Sequence, residues 1–177
     1  MAWTRNVLRV NLAAGTCMAE PLNMAWAHDY LGQRGLATRY FVSEVEAKVD
    51  PFSPENKLLF VTGPLTGNGF TPGGTKMTAV YLSPLTNTTL GRGATSGYWA
   101  TYLKAAGYDG VILNGASLKP VYLYINDGKA ELRDAANVWG LGTRATEDRL
   151  RGLVGNRDAR VLCIGPAGEN LNRAAML

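Results

Sequence analysis

Residues 58–82 read LLFVTGPLTGNGFTPGGTKMTAVYL, and this stretch says more about the fold than any other part of the sequence. Residues 58–61 form a short apolar run bounded by turn residues, which is typical of a buried strand. Met77–Leu82 predicts a second strand. Glycine, proline and threonine dominate the residues between the two runs. The stretch therefore predicts two strands separated by a glycine-rich loop.

Glycine remains frequent up to residue 97, and within residues 63–97 only Met77–Leu82 is predicted to be a strand. Glycine costs chain entropy, so a folded protein keeps it where the backbone turns sharply or approaches something closely. Two interpretations stay open from composition alone. The glycines serve either tight hairpin turns or a surface on which backbone amides meet a ligand.

Helices and strands are expected to alternate irregularly along the rest of the chain. Predicted strands cover residues 8–12, 111–113, 121–125, 130–133 and 160–164, and predicted helices cover 24–31, 36–45, 98–106 and 143–154. Pro21 and Asn23 are expected to open the first of these helices. Asp127-Gly128 indicates a hairpin turn, because glycine supplies the positive φ that such turns require. Thr143 is expected to cap the last helix. Hairpins in an irregular order favour an α+β fold over a doubly wound sheet.

Length, charge and hydropathy exclude several classes of protein. The 177 residues are expected to form one domain over residues 1–177. The net charge of +4 is modest, and the denser basic residues at 144–160 are interleaved with acidic ones, which argues against nucleic-acid binding. No run reaches the roughly 18 apolar residues of a membrane span, and residues 1–12 lack a signal peptide's apolar run. We therefore expect a cytoplasmic protein.

The residues that usually carry catalysis are sparse. Cys17 and Cys163 are far apart, and a four-iron cluster needs about four thiolates, so no iron–sulfur cluster is expected in this chain. His28 lacks a cysteine or carboxylate at ligand spacing. Gly91-Arg92-Gly93 has the wrong spacing for a dinucleotide-binding loop, and no serine elbow is present. The residues alone predict no catalytic constellation.

Seven blocks spread across the chain are similar to aldehyde ferredoxin oxidoreductases, the tungsten bis-pyranopterin enzymes. They occur in that family's order and at nearly its spacing. The blocks are residues 49–58 with 62–67 (VDPFSPENKL and TGPLTG), 83–86 (SPLT), 103–110 (LKAAGYDG), 119–123 (KPVYL), 133–135 (RDA), 138–140 (VWG) and 165–171 (GPAGENL). Any one block would be weak, but together they are specific.

The resemblance implies a fold, a cofactor and a reaction. In that family the amino-terminal domain is a β-rich α+β platform, which supports two pyranopterin dithiolenes that chelate tungsten or molybdenum, with a magnesium ion bridging their phosphates. Complete enzymes oxidise aldehydes to carboxylic acids and pass the electrons to ferredoxin through a cluster held by later domains. The resemblance assigns no catalytic residue here. The cofactor-binding positions that it implies are Gly74, Thr75, Lys76, Arg92, Ala94, Thr95, Ser96 and Gly97, with the Ala94 carbonyl as a metal ligand.

Three departures from the family pattern qualify this expectation. The usual Gly-Gly-Arg is here Gly73-Gly74-Thr75-Lys76, so a lysine offers a point charge without the bidentate fork of arginine. Ala94 replaces an asparagine. The sequence stops at Leu177, before a further pterin loop, and we expect a platform truncated at its carboxyl-terminal edge and completed by a partner chain or a second copy. Two hypotheses follow: a cofactor-binding subunit that is inactive alone, or a cofactor-free structural subunit.

Overall fold

The computed structural model describes residues 2–72 and 74–175, which form eight strands and five helices. In chain order these are β1 (Asn6–Asn11), β2 (Thr16–Pro21), α1 (Met24–Tyr30), α2 (Gln33–Glu44), β3 (Lys57–Thr62), β4 (Met77–Leu82), β5 (Leu90–Thr95), α3 (Tyr98–Ala105), β6 (Gly110–Asn114), β7 (Val121–Asn126), β8 (Lys129–Asp134), α4 (Thr143–Val154) and α5 (Pro166–Glu169).

Six of the strands form one sheet in the order β2-β1-β6-β3-β4-β5, and β7 pairs with β8 in a separate hairpin. Neighbours in the large sheet run antiparallel, except that β1 and β6 are parallel. β6 therefore lies between two strands that precede it in the chain by many residues. The mixed, mostly antiparallel sheet with its helices confirms the predicted α+β class.

Both faces of the sheet are covered, and the alternation of side chains along each strand decides which contact each residue makes. On one face, Leu59, Val80 and Ile112 pack against α1 and α2. On the other face, Leu8 and Val111 pack against Leu103 of α3 and the inner side of the β7–β8 hairpin. Phe60, Met77 and Ala79 pack against the amino-terminal half of α3. Burial on two sides explains why the central strands β3, β4 and β6 are nearly continuously apolar.

Several local predictions are confirmed. The Asn23 side chain accepts a hydrogen bond from the Trp26 amide at 3.0 Å, as expected of a residue that opens a helix. Asp127 and Gly128 both adopt positive φ in the β7–β8 turn.

Within the described ranges, no helix combines the length and apolar character needed to cross a bilayer.

Four local predictions are wrong. Thr16–Pro21 and Leu90–Thr95 are strands, although the sequence predicted neither. Residues 160–164 form no strand, because no neighbouring strand offers them a hydrogen-bonded ladder. Thr143 does not cap α4: the residue at the cap position is Gly142, without a side-chain hydrogen bond to the helix.

Asp109 is a buried carboxylate at the point where α3 returns to the sheet. Its side chain is 1% exposed and forms an ion pair with Lys104 at 2.6 Å. Its second oxygen accepts hydrogen bonds from the Thr4 hydroxyl at 3.0 Å and the Arg5 amide at 2.8 Å. The carboxylate thus ties the amino-terminal segment and α3 to the start of β6, with its charge compensated inside the protein.

A second ionic cluster joins the end of α2 to the sheet. The guanidinium of Arg9 binds both oxygens of Glu44 at 2.8 and 3.0 Å and also contacts Glu20. Lys57 contacts Glu44 from the neighbouring side at 2.5 Å. Burial tends to raise the pKa of Glu44, but the hydrogen bonds from Arg9 and Lys57 outweigh it and hold the pKa below its ordinary value.

Glu44→Gln is expected to lower the free energy of unfolding by about 1.5–3 kcal/mol near pH 7, since it removes charge-assisted hydrogen bonds. A depressed carboxyl pKa contributes stability above the unfolded-state pKa, and this contribution is lost as the pH falls through the folded-state value. The difference in the free energy of unfolding between the wild type and Glu44→Gln should therefore narrow below about pH 4.5, which is close to the ordinary pKa of glutamate. Urea denaturation across the acid range measures it. Glu46→Gln, at an exposed neighbouring position, is the matched control.

Candidate functional site

The pairing of β4 with β5 brings the two glycine-rich loops together. Met77, the first residue of β4, lies opposite Thr95, the last residue of β5. Gly74, Thr75 and Lys76 lead into β4, and Ser96 and Gly97 follow β5. Because the strands are antiparallel, both loops lie at the same end of the hairpin. The structure therefore juxtaposes two segments that are some twenty positions apart in the sequence.

The register of β4 and β5 places two other expected site residues away from the end of the hairpin where the two loops meet. Arg92 lies opposite Val80 and Ala94 opposite Thr78, so their side chains occupy the sheet face on which Val80 meets α1 and α2. Thr95 occupies the opposite face, together with Met77 and α3. Arg92 and Ala94 are both exposed on the edge strand.

Gly74 and Lys76 hold their own loop in shape. The Gly74 amide donates to the Thr71 carbonyl at 2.9 Å, and its carbonyl accepts from Gly67 at 2.6 Å. A Cβ at position 74 would lie 3.0 Å from the Thr71 carbonyl oxygen, so a larger residue would require the neighbouring backbone to shift by a few tenths of an ångström. The Lys76 carbonyl accepts from the Thr66 hydroxyl at 3.0 Å, and Lys76 is exposed.

A cavity of about 290 Å³, which we call the α3 cavity, lies where the two loops meet. Its lining comes from the ends of β4 and β5, the first residues of α3, one side of α4 and the segment after α4. The lining residues are Thr75, Met77, Thr95, Ser96, Gly97, Tyr98, Trp99, Ala100, Glu147, Arg151, Arg160, Val161 and Leu162. Four of the eight expected cofactor-binding residues are among them: Thr75, Thr95, Ser96 and Gly97.

The amino terminus of α3 forms one wall of this cavity. Gly97 precedes the helix with φ of +118°, and no side chain caps the first turn. The first amides of a helix have no partner within the helix and carry partial positive charge. The ring of Trp99 packs 6.0 Å from that of Phe60, which fixes the first turn on the sheet. This wall of the cavity therefore favours an anion.

Two arginines that the sequence interpretation missed also line the cavity. Arg151 of α4 is ion-paired with Glu147 at 2.6 Å. Arg160 has a buried Nε without a hydrogen-bond partner in residues 2–72 and 74–175. Its guanidinium carbon lies 5.2 Å from the ring centre of Tyr98 and 5.4 Å from that of Tyr102. The sequence offered no signal for this, since the contacts join positions about sixty residues apart.

The described residues contain no group of three or more His, Cys, Asp or Glu side chains placed to hold a metal ion. Cys17 and Cys163 are both free. Burial raises the pKa of each thiol, with a smaller contribution from Glu131 near Cys17 and Glu147 near Cys163. A raised pKa disfavours the thiolate that binds metal.

Comparison with known proteins finds a family model and relatives that match nearly all of this chain. A family model described as "Aldehyde ferredoxin oxidoreductase, N-terminal domain" matches residues 7–177. A tungsten-containing aldehyde ferredoxin oxidoreductase of Pyrococcus horikoshii is 45% identical over 169 residues, which is 96% of this chain and 28% of that protein. The WOR-like subunit of an aliphatic sulfonate oxidoreductase of Pyrococcus furiosus is 35% identical over 99% of this chain and 30% of its own length.

A solved structure has the same fold. It is the active site complex BamBC of benzoyl coenzyme A reductase in complex with 1,5-dienoyl-CoA, with a TM-score of 0.92 and 37% sequence identity. The match covers 96% of this chain and 26% of that one. The chain thus spans between a quarter and a third of the length of each of these three proteins.

Proposed function

Because this chain belongs to the aldehyde ferredoxin oxidoreductase N-terminal domain family, we propose that it provides one wall of a tungsten or molybdenum bis-pyranopterin site in an oxidoreductase. The wall consists of the two loops at residues 74–76 and 94–97 and the first turn of α3. The pairing of Met77 with Thr95 is the observation that carries the proposal, because it creates a single surface from both loops.

The residues at this surface fit part of the cofactor. Gly93 and Gly97 leave open space where a Cβ would stand, so a flat ring system can approach the backbone there. The uncapped first turn of α3 and the guanidinium of Arg160, which lines the cavity, suit a phosphate group. The α3 cavity has a volume of about 290 Å³, and we propose that it takes one arm of the cofactor.

In this proposal the chain binds and orients. Ser96 and Gly97 would present backbone to the cofactor, Arg160 would bind phosphate, and the Ala94 carbonyl would help to hold a magnesium ion. Lys76 is exposed outside the α3 cavity and would contribute positive charge at its margin, whereas Arg92 lies on the other face of the sheet. When bound, the metal centre supplies two-electron oxidation–reduction chemistry. The reaction class that we propose is oxidation of an aldehyde to a carboxylate, with electrons passing to ferredoxin.

We also propose that the chain depends on a second protein chain for its function. One relative is named as a subunit, and the similar solved structure is a complex. We therefore propose that the chain acts in the cytoplasm with a partner chain or a second copy that covers its cofactor-facing surface, and that it is inactive alone.

The second candidate is a cofactor-free structural subunit. Two observations favour it: Lys76 is exposed outside the α3 cavity, and Ala94 has no polar side chain at the position where the family resemblance expects asparagine. In that case the same surface would serve only for contact with another chain.

Metal and pterin content separates the two candidates. Protein purified from its native host, with any chain that copurifies, is analysed for tungsten, molybdenum and phosphorus, and for the fluorescence of oxidised pterin. We expect about one metal per complex. Ser96→Trp should fill the α3 cavity and reduce the bound metal at least about tenfold, a loss of roughly 1.4 kcal/mol or more in binding.

Thr88→Trp is the control for that experiment. Thr88 is exposed at the opposite end of the same β4–β5 hairpin, so an equally large side chain there should leave the metal content unchanged. Wild-type protein that carries neither metal nor pterin would contradict the proposal and favour the structural subunit. Equal metal content in the two variants would place the cofactor away from the α3 cavity.

A further inference from the structure

We infer that Arg160 is the residue of this domain that grips a phosphate group, and that the α3 cavity is built around it. This inference rests on the proposed function, because the phosphate is taken to be that of the pyranopterin. Arg160 lies outside the glycine-rich loops from which the family resemblance draws its cofactor-binding positions. It compensates for the arginine that is replaced in the Gly73–Lys76 loop.

The charges that face the cavity leave one cation unbalanced. Arg151 is neutralised by Glu147 at 2.6 Å, and its Nε donates to the Ala159 carbonyl at 3.0 Å. Arg160 forms no ion pair within residues 2–72 and 74–175. Since the lining contains no other charged side chain, it carries a net charge of about +1 near neutral pH. An anion is the ligand that this arrangement attracts.

Within the part of the chain that the structure describes, the guanidinium of Arg160 has hydrogen-bond donors without partners beside the cavity that the residue lines. Its Nε is buried and unpaired there, which is unfavourable, since most such atoms in native proteins have a partner. Arginine meets phosphate with parallel N–H donors. A phosphate in the cavity would engage the terminal nitrogens of Arg160, and a small shift of the side chain would be needed to engage Nε as well.

Two tyrosines hold the guanidinium in place. Tyr98 and Tyr102 lie one turn apart on α3, and the guanidinium carbon is within 5.4 Å of both ring centres. An aromatic ring attracts a cation over its face and leaves the N–H groups at the guanidinium edge available. The arrangement thus fixes the cation beside the first turn of α3 without using up its donors. Lys76, exposed outside the cavity, offers no such fixed donor pair.

Inorganic pyrophosphate is the probe that tests this inference. Cofactor-free protein, from cells that cannot make the pterin, is titrated with pyrophosphate by calorimetry at low ionic strength. Arg160→Gln is expected to weaken binding by about 10- to 100-fold, as loss of a charge-assisted hydrogen-bond pair does. Arg160→Lys should keep the charge and recover only part of the affinity, because it lacks the fork. Wild-type binding should weaken as salt is added.

Arg149→Gln is the matched control, since Arg149 is an exposed arginine of α4 that does not line the cavity. It should bind pyrophosphate like the wild type. Thermal unfolding of all variants excludes a loss of structure as the cause. Equal affinity of Arg160→Gln and wild type would overturn the inference, and so would an equal loss in Arg149→Gln. Failure of wild-type protein to bind pyrophosphate would overturn it as well.

The metal and pterin analysis distinguishes this inference from the proposed function. The Arg160 assignment is overturned, and the proposed function is left standing, by the following combination of results. Wild-type protein contains metal and pterin, the Arg160→Gln variant contains just as much of both, and the cofactor-free protein does not bind pyrophosphate. The opposite combination is pyrophosphate binding that requires Arg160, together with an absence of pterin from protein purified from its native host. That result would support an anion site at Arg160 and contradict the pyranopterin as the source of the phosphate.

Discussion

Asp109→Asn is expected to lower the free energy of unfolding by about 3–5 kcal/mol, because it leaves the charge of Lys104 unpaired in a buried position. Both side chains are almost inaccessible to water, at 1% and 8% exposure. The substitution also weakens the acceptor for the Arg5 amide, so the amino-terminal segment loses its attachment. Urea denaturation followed by circular dichroism measures the change. Asp148→Asn, at an exposed position of α4, should stay within about 0.5 kcal/mol of the wild type.

Lys104→Met tests whether the ion pair itself is responsible. Alone it should destabilise strongly, since it strands the Asp109 carboxylate. Combined with Asp109→Asn it should cost less than the sum of the two single changes, as expected for residues in contact. Strict additivity would show that Asp109 stabilises the fold through its hydrogen bonds to Thr4 and Arg5 alone.

Phe60→Ala is expected to destabilise the protein by about 3–5 kcal/mol, the usual cost of removing a large aromatic side chain from a core. Phe60 is 6% exposed and lies beneath Trp99, so the cavity left behind would also loosen the first turn of α3. The fluorescence of the tryptophans should shift in the folded variant, and binding of pyrophosphate or cofactor should weaken with it.

Phe70→Ala is the same chemical change at a side chain that is 94% exposed. It should alter the free energy of unfolding by no more than about 0.5 kcal/mol. Similar losses in both variants would mean that Phe70 is covered in solution by another chain. A small loss in Phe60→Ala would show that the core collapses around the missing ring.

Elements with strong local signals could be predicted from the sequence. Asn23 could be recognised as the residue that opens α1, and Asp127-Gly128 as a hairpin turn, because both depend on neighbouring residues only. β5 was missed, since Gly91 and Gly93 interrupt any apolar pattern. The structure accounts for Gly91: a Cβ there would collide with the ring of Tyr81 on the paired strand. That contact depends on pairing and is invisible in the local sequence.

In the candidate site, too, some residues could be predicted from the sequence and others could not. The resemblance located both glycine-rich loops, and the structure places Thr75, Thr95, Ser96 and Gly97 around one cavity. The resemblance could not reveal that Arg92 and Ala94 lie on the other face of the sheet, because the register of the strand fixes the face of each side chain. Arg160 escaped notice because its partners, Tyr98 and Tyr102, belong to a distant helix.

The position of β6 between β1 and β3 has a consequence for how the chain folds as it is synthesised. The β1–β2 hairpin and the β3–β4–β5 meander can each form early from neighbouring residues, but they share no ladder with each other. Only when Gly110–Asn114 leaves the ribosome can one strand join them, and Asp109 meets Lys104 and Arg5 at the same step. Until then, two unpaired strand edges are exposed, which is the condition under which nascent chains aggregate or recruit chaperones.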